Sequence, residues 1–71
     1  MTAVTKTVRL SGGSERSIED AISTVLARAA TSIEDLATFE IVRVGGTVGS
    51  SGVPASYEVT LDITFNVREN P

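Results

Sequence analysis

Tyr57-Glu58-Val59-Thr60-Leu61-Asp62-Ile63-Thr64-Phe65-Asn66-Val67-Arg68 decides the fold of this 71-residue chain. Apolar and polar residues alternate without a break, the period of a β-strand with one face buried and the other wet. At ~3.3 Å per residue the run is on the order of 40 Å long, more than one small helix covers. Part of its apolar face is therefore expected to touch another copy of the chain.

Upstream, residues 39–44, extending toward Val48, read as a second strand with apolar residues on both parities: Phe39 and Ile41 on one side, Val42 and Val44 on the other. A single helix shields one parity, so the other must meet solvent or a neighbouring subunit. Gly45-Gly46, then Gly49-Ser50-Ser51-Gly52 with Pro54, read as a long hairpin connection between these two strands.

Nearer the N-terminus the period changes. Ile18, Ala21, Ile22, Val25, Leu26, Ala29 and Ile33 recur at steps of three and four, one face of an amphipathic helix. Ser14 or Ser17 serves as its N-cap, and Glu15, Glu19 and Asp20 place negative charge where the helix dipole favours it. The pattern predicts helix to about Leu36, although Thr31-Ser32-Ile33-Glu34 also reads as a capping box that starts a second turn after a break. Before the helix, residues 5–10 mix β-branched side chains with charges, a first strand, and Ser11-Gly12-Gly13-Ser14 reads as the turn out of it. The predicted fold class is α+β, a β-α-β-β unit forming a single domain over residues 1–71.

Composition narrows the function. A chain of this size removes only about 60% of its unfolded surface on folding, and a single core of that size stabilises it by roughly 3 to 5 kcal/mol. Disulfides are excluded by the absence of cysteine, and with no histidine either, zinc fingers and Ser/His/Asp or Cys/His nucleophile systems are excluded too. Partner subunits are the remaining source of stability. Nine acidic against six basic residues, with no basic run, argue against nucleic acid as a partner. Residues 1–10 lack the continuous apolar block of a signal peptide or membrane span, so a cytoplasmic, membrane-free protein is expected.

The candidate chemistry is sparse. Ser17-Ile18-Glu19-Asp20 and Ser32-Ile33-Glu34-Asp35 echo each other, but on a continuous helix they lie about 22 Å apart, too far for one calcium ion to bridge. They are better read as solvated helix face. Gly12-Gly13 ahead of a helix has the look of an anion site yet lacks the spacing of a nucleotide fingerprint, and a plain turn is the better reading. Glu40, Glu58 and Asp62 stand with no nucleophile or histidine, so no enzyme is expected.

The order Val8-Arg9-Leu10-Ser11-Gly12-Gly13-Ser14, Ile18-Glu19-Asp20-Ala21-Ile22, Leu26-Ala27-Arg28-Ala29-Ala30, Leu36-Ala37-Thr38-Phe39-Glu40-Ile41 and Tyr57-Glu58-Val59-Thr60-Leu61 resembles the dodecin family, from about Val4 to Glu69. The resemblance implies a three-stranded antiparallel sheet wrapped around one helix, with twelve copies closing into a hollow homododecamer that binds, stores or sequesters a small ligand without catalysis. In many relatives that ligand is a flavin, FMN or riboflavin, held between two symmetry-related tryptophans with a glutamine on the pyrimidine edge of its ring. Thr38 stands at the tryptophan position, where it offers no flat surface for stacking, and Glu58 stands at the glutamine position, where an ionised carboxylate accepts hydrogen bonds but donates none. The Arg-Gly-His stretch of flavin-binding relatives is altered to Gly45-Gly46-Thr47, with Gly46 as the glycine kept. Thr38, Gly46 and Glu58 are thus the candidate ligand residues. The alternative is a structural or calcium-binding dodecamer without flavin, in which Glu58 and its symmetry mates collect cations at a subunit interface.

Overall fold

The third strand of the chain is the middle strand of its sheet. A computed structural model describes residues 4–67, so Arg68, which ends the alternating run, and Glu69 lie outside the described residues. In chain order the elements are β1 (Thr5–Ser14), α1 (Ile18–Ala30), β2 (Leu36–Val48) and β3 (Pro54–Asn66). The three strands form one antiparallel sheet in the order β1-β3-β2. This is the predicted β-α-β-β, α+β fold.

The odd positions of β3 face α1. Val59, Leu61 and Ile63 are buried there against Ala21, Val25 and Ala29 of the helix, with Val8, Leu10, Ile22, Leu26 and Leu36 packed around them. The small alanines let helix and sheet approach closely, and each fully buried Val, Leu or Ile contributes on the order of 1.5 to 3 kcal/mol.

Helix α1 begins as predicted: Ser17 is the N-cap, its hydroxyl accepting from the Asp20 amide at 2.9 Å. Ser14, the other candidate, instead donates to the Asp20 carboxylate at 2.6 Å and ties the end of β1 to the first helical turn. The helix stops at Ala30, six residues before the expected end at Leu36, and no second helical turn follows. Thr31 causes the stop. Its hydroxyl takes the Arg28 carbonyl at 2.7 Å, and the amides of Ser32 and Ile33 both turn back to the Ala29 carbonyl. Asp35 then takes a left-handed backbone, φ 60°, and Leu36 leaves the helical register to pair with Phe65 in the sheet.

Two glycine pairs expected in turns lie inside strands. Gly12 and Gly13 pair with Val59 and Glu58, and Gly45 and Gly46 pair with Glu58 and Tyr57. Gly12 is required by packing rather than by turning, since a Cβ there would fall 2.5 Å from Val25 Cγ2 of the helix above. The β2-β3 connection shrinks to residues 49–53, closed by Gly49 N–H to the Val53 carbonyl at 2.7 Å and Gly52 N–H to the Gly49 carbonyl at 2.9 Å. β3 accordingly starts at Pro54, earlier than the alternation alone marks.

β2 also departs from its expected two-sided pattern. Ala37 and Val42 are extra residues opposite a regular β3, at register breaks between Leu36 and Thr38 and between Ile41 and Arg43. The break at Val42 returns Val44 to the face of Phe39 and Ile41, opposite Val59, Leu61 and Ile63 respectively in reverse order. All three face the helix side of the sheet, yet α1 packs over β1 and β3 and leaves them 46%, 43% and 44% exposed for Phe39, Ile41 and Val44.

Candidate functional site

The helix-free face of the sheet carries the even residues of β3, each flanked by its register partners on β1 and β2. Four rows follow along the strand: Thr7, Thr64 and Thr38; Arg9, Asp62 and Glu40; Ser11, Thr60 and Arg43; Gly13, Glu58 and Gly45. Side chains at paired positions project to the same side, so each row is a set of neighbours.

The first three rows are partly satisfied within the chain. The Thr7 and Thr64 hydroxyls bond at 2.9 Å and those of Ser11 and Thr60 at 2.8 Å. Arg9 grips Asp62 with both arms, Nε to Oδ1 at 2.7 Å and Nη2 to Oδ2 at 3.1 Å. Donation from the guanidinium holds the Asp62 carboxyl below the usual carboxylate range, and the same contact raises Arg9.

The fourth row is different. Glu58 stands between two glycines, so no side chain rises beside it on either neighbouring strand. A groove of about 320 Å³ opens there, bordered by Ser11, Gly13, Arg43, Gly45, Glu58 and Thr60. Glu58 and Arg43 are diagonal neighbours across the β2-β3 pair, and among the described residues neither makes a side-chain hydrogen bond or ion pair. The groove therefore offers a bare acceptor and a bare donor over a floor of peptide backbone.

The three sequence-predicted ligand residues are not brought together within one subunit. Thr38, exposed opposite Thr64, shares the face of Glu58 but lies six β3 residues away, about 20 Å along the strand. Gly46 pairs with Tyr57 and so sits at a position whose side chain would point to the helix side, where a Cβ would collide with the Ser56 carbonyl. Gly46 is thus needed by the backbone, while Gly45, the residue beside it, opens the groove. Among the described residues no group of three or more His, Cys, Asp or Glu, at Glu58 or elsewhere, is placed to hold a metal ion. No helix among the described residues is long and apolar enough to cross a membrane.

Arg43 is the groove residue that sequence reasoning did not select. In a regular strand it shares the parity of Phe39 and Ile41 and points toward the helix side; the extra residue Val42 turns it to the face of Glu58.

Comparison with known proteins places this geometry. The dodecin family model matches residues 4–68. The curated dodecin of Thermus thermophilus is 41% identical over 69 residues, covering 97% of this chain and 99% of that protein. A crystal structure from the same organism superposes with a TM-score of 0.88 at 39% identity, over 97% of this chain and all of that one. The dodecin of Streptomyces davaonensis superposes with a TM-score of 0.88 at 26% identity, over 97% of this chain and all of that one, and the calcium dodecin of Mycobacterium tuberculosis, described as having a novel calcium-binding site, superposes with a TM-score of 0.77 at 26% identity, over 96% of each chain. With the family model, the relative's identity and the superposition in agreement over nearly the full length, the chain belongs to the dodecin family.

Proposed function

We propose that this chain is the subunit of a cytoplasmic, non-enzymatic hollow homododecamer that binds, stores or sequesters a small ligand, with flavins among the candidates. One observation carries the reading: the apolar side of β2, formed by Phe39, Ile41 and Val44, has no cover in its own subunit. The shape supports it. A compact chain of this length has a radius of gyration of about 11 Å, whereas this subunit reaches 15.1 Å and extends 58 Å along its long axis. A helix of 13 residues spans about 20 Å and a strand of 13 residues about 43 Å, so the sheet outruns its only helix. Copies of the same chain supply matching apolar surface, and a closed assembly brings Thr38 of one copy toward Glu58 of another, which one subunit cannot do alone.

Sedimentation with native mass spectrometry tests the assembly: a species of about twelve times the 7.4 kDa subunit mass is expected. A cooperatively folded monomer at micromolar concentration would refute it. Retention of FMN or riboflavin through gel filtration tests the flavin.

A second reading, calcium binding between copies, is favoured by the calcium dodecin relative and by the unpaired Glu58 carboxylate. Calorimetric titration with calcium separates the two, since heat and added thermal stability are expected only where symmetry gathers several Glu58 side chains.

A further inference from the structure

The groove around Glu58 has a polarity of its own. Resting on the reading of this protein as a small-ligand binder, we infer that the groove selects planar heterocycles presenting two adjacent N–H donors beside a carbonyl, the 2-amino-4-oxopyrimidine edge of pterins and guanines, over the 2,4-dioxopyrimidine edge of flavins.

The shape of the site asks for a ring. Gly13 and Gly45 leave the backbone bare on both sides of Glu58. A Cβ built on Gly45 meets no atom within 4 Å, so the slot between Glu58 and Arg43 is open down to the peptide plane. A flat floor beside an upright carboxylate admits a planar group edge-on to the carboxylate and face-down on the strand. The groove, at about 320 Å³, suits a fused bicycle.

The polar groups then fix which edge is taken. An ionised carboxylate has two acceptor oxygens and no donor, so it pairs with two neighbouring N–H groups and is repelled by a carbonyl. A 2,4-dioxo edge reads acceptor, donor, acceptor, and sets a carbonyl against each side of its single N–H. A 2-amino-4-oxo edge reads donor, donor, acceptor. Its two donors match both oxygens of Glu58, and its carbonyl falls on the side where Arg43, two residues along β2 from Gly45 on the same face, offers guanidinium donors. Among the described residues neither side chain has a bond to break first.

Two pteridines of equal size isolate the edge. Calorimetric titration of the full-length protein with 2-amino-4-oxopteridine and with 2,4-dioxopteridine is expected to show the amino compound binding at least about tenfold more tightly, the scale set by a charged hydrogen bond gained against one opposed. Glu58→Gln, which restores a donor, is expected to erase or reverse that ratio. Gly45→Val fills the open slot with a residue that suits a strand, and is expected to abolish binding of both pteridines with the melting temperature kept. Equal affinities, preference for the dioxo compound, binding of neither, or unchanged binding by Gly45→Val would each overturn the inference. The groove residues all belong to one subunit, and the two pteridines are compared in the same assembly. A shell that retains riboflavin and shows no pteridine preference leaves the proposed function standing and removes only this selectivity.

Discussion

The Cβ that Gly12 lacks would lie 2.5 Å from Cγ2 of Val25, so β1 and α1 meet at a distance that only glycine permits. Gly12→Ala is expected to destabilise the protein by about 1 to 3 kcal/mol, the usual cost of overpacking. Thermal or urea unfolding at fixed subunit concentration measures it. Adding Val25→Ala to the same chain vacates the contested space, and the two changes together should cost less than their sum.

Ile41 lies in the middle of the uncovered side of β2, opposite the buried Leu61. Ile41→Glu places a charge where a neighbouring copy packs, which is expected to shift sedimentation toward the 7.4 kDa subunit. An unchanged assembly would mean that copies meet through some other surface.

Asp62 titrates below its ordinary range because Arg9 donates to it. A carboxyl with a depressed folded-state pKa adds stability that is fully present above the unfolded value of about 3.9 and lost as pH falls through the folded value. Stability is therefore expected to decline as acid passes through that range. Asp62→Asn should remove this part of the decline and leave stability near pH 7 slightly lower. Because the pair is exposed, salt is expected to weaken the effect.

Thr38 offers no aromatic surface on the helix-free face, and Glu58 no donor. Installing Thr38→Trp with Glu58→Gln is expected to raise riboflavin affinity by about tenfold or more, from stacking worth roughly 1 to 3 kcal/mol per base in comparable sites. Quenching of flavin fluorescence reads it directly. Thr38→Trp alone should gain less, since Glu58 still opposes the ring carbonyls.

Much of this architecture is legible in the chain, and the exceptions have identifiable causes. The alternation from Tyr57 marks β3 because a central strand with one covered face must alternate, and the three-four spacing from Ile18 to Ala29 marks α1 for the same reason on a helix. What misled was local composition standing in for tertiary contact. Gly12 and Gly45 look like turn residues, yet one admits a helix side chain and the other opens a groove. Ile33 continues the helical period beyond the point where the Thr31 hydroxyl has already closed the last turn. Glu58 was visible as a polar residue in a strand of known parity. Its partner Arg43 was not, because the extra residue at Val42 reverses the parity of β2 and leaves no mark in composition.

The strand order β1-β3-β2 also governs when the chain can fold. β1 and β2 are not neighbours, and among the described residues each pairs with β3 alone, the last of the three to leave a ribosome. A nascent chain halted before Pro54 can form its helix but no sheet ladder, and closing the pair Thr5 and Asn66 must draw together residues from opposite ends of the described chain. Subunit formation is thus a late event in synthesis, with two edge strands waiting for one keystone, and a truncated product lacking β3 should have no sheet and be open to proteolysis.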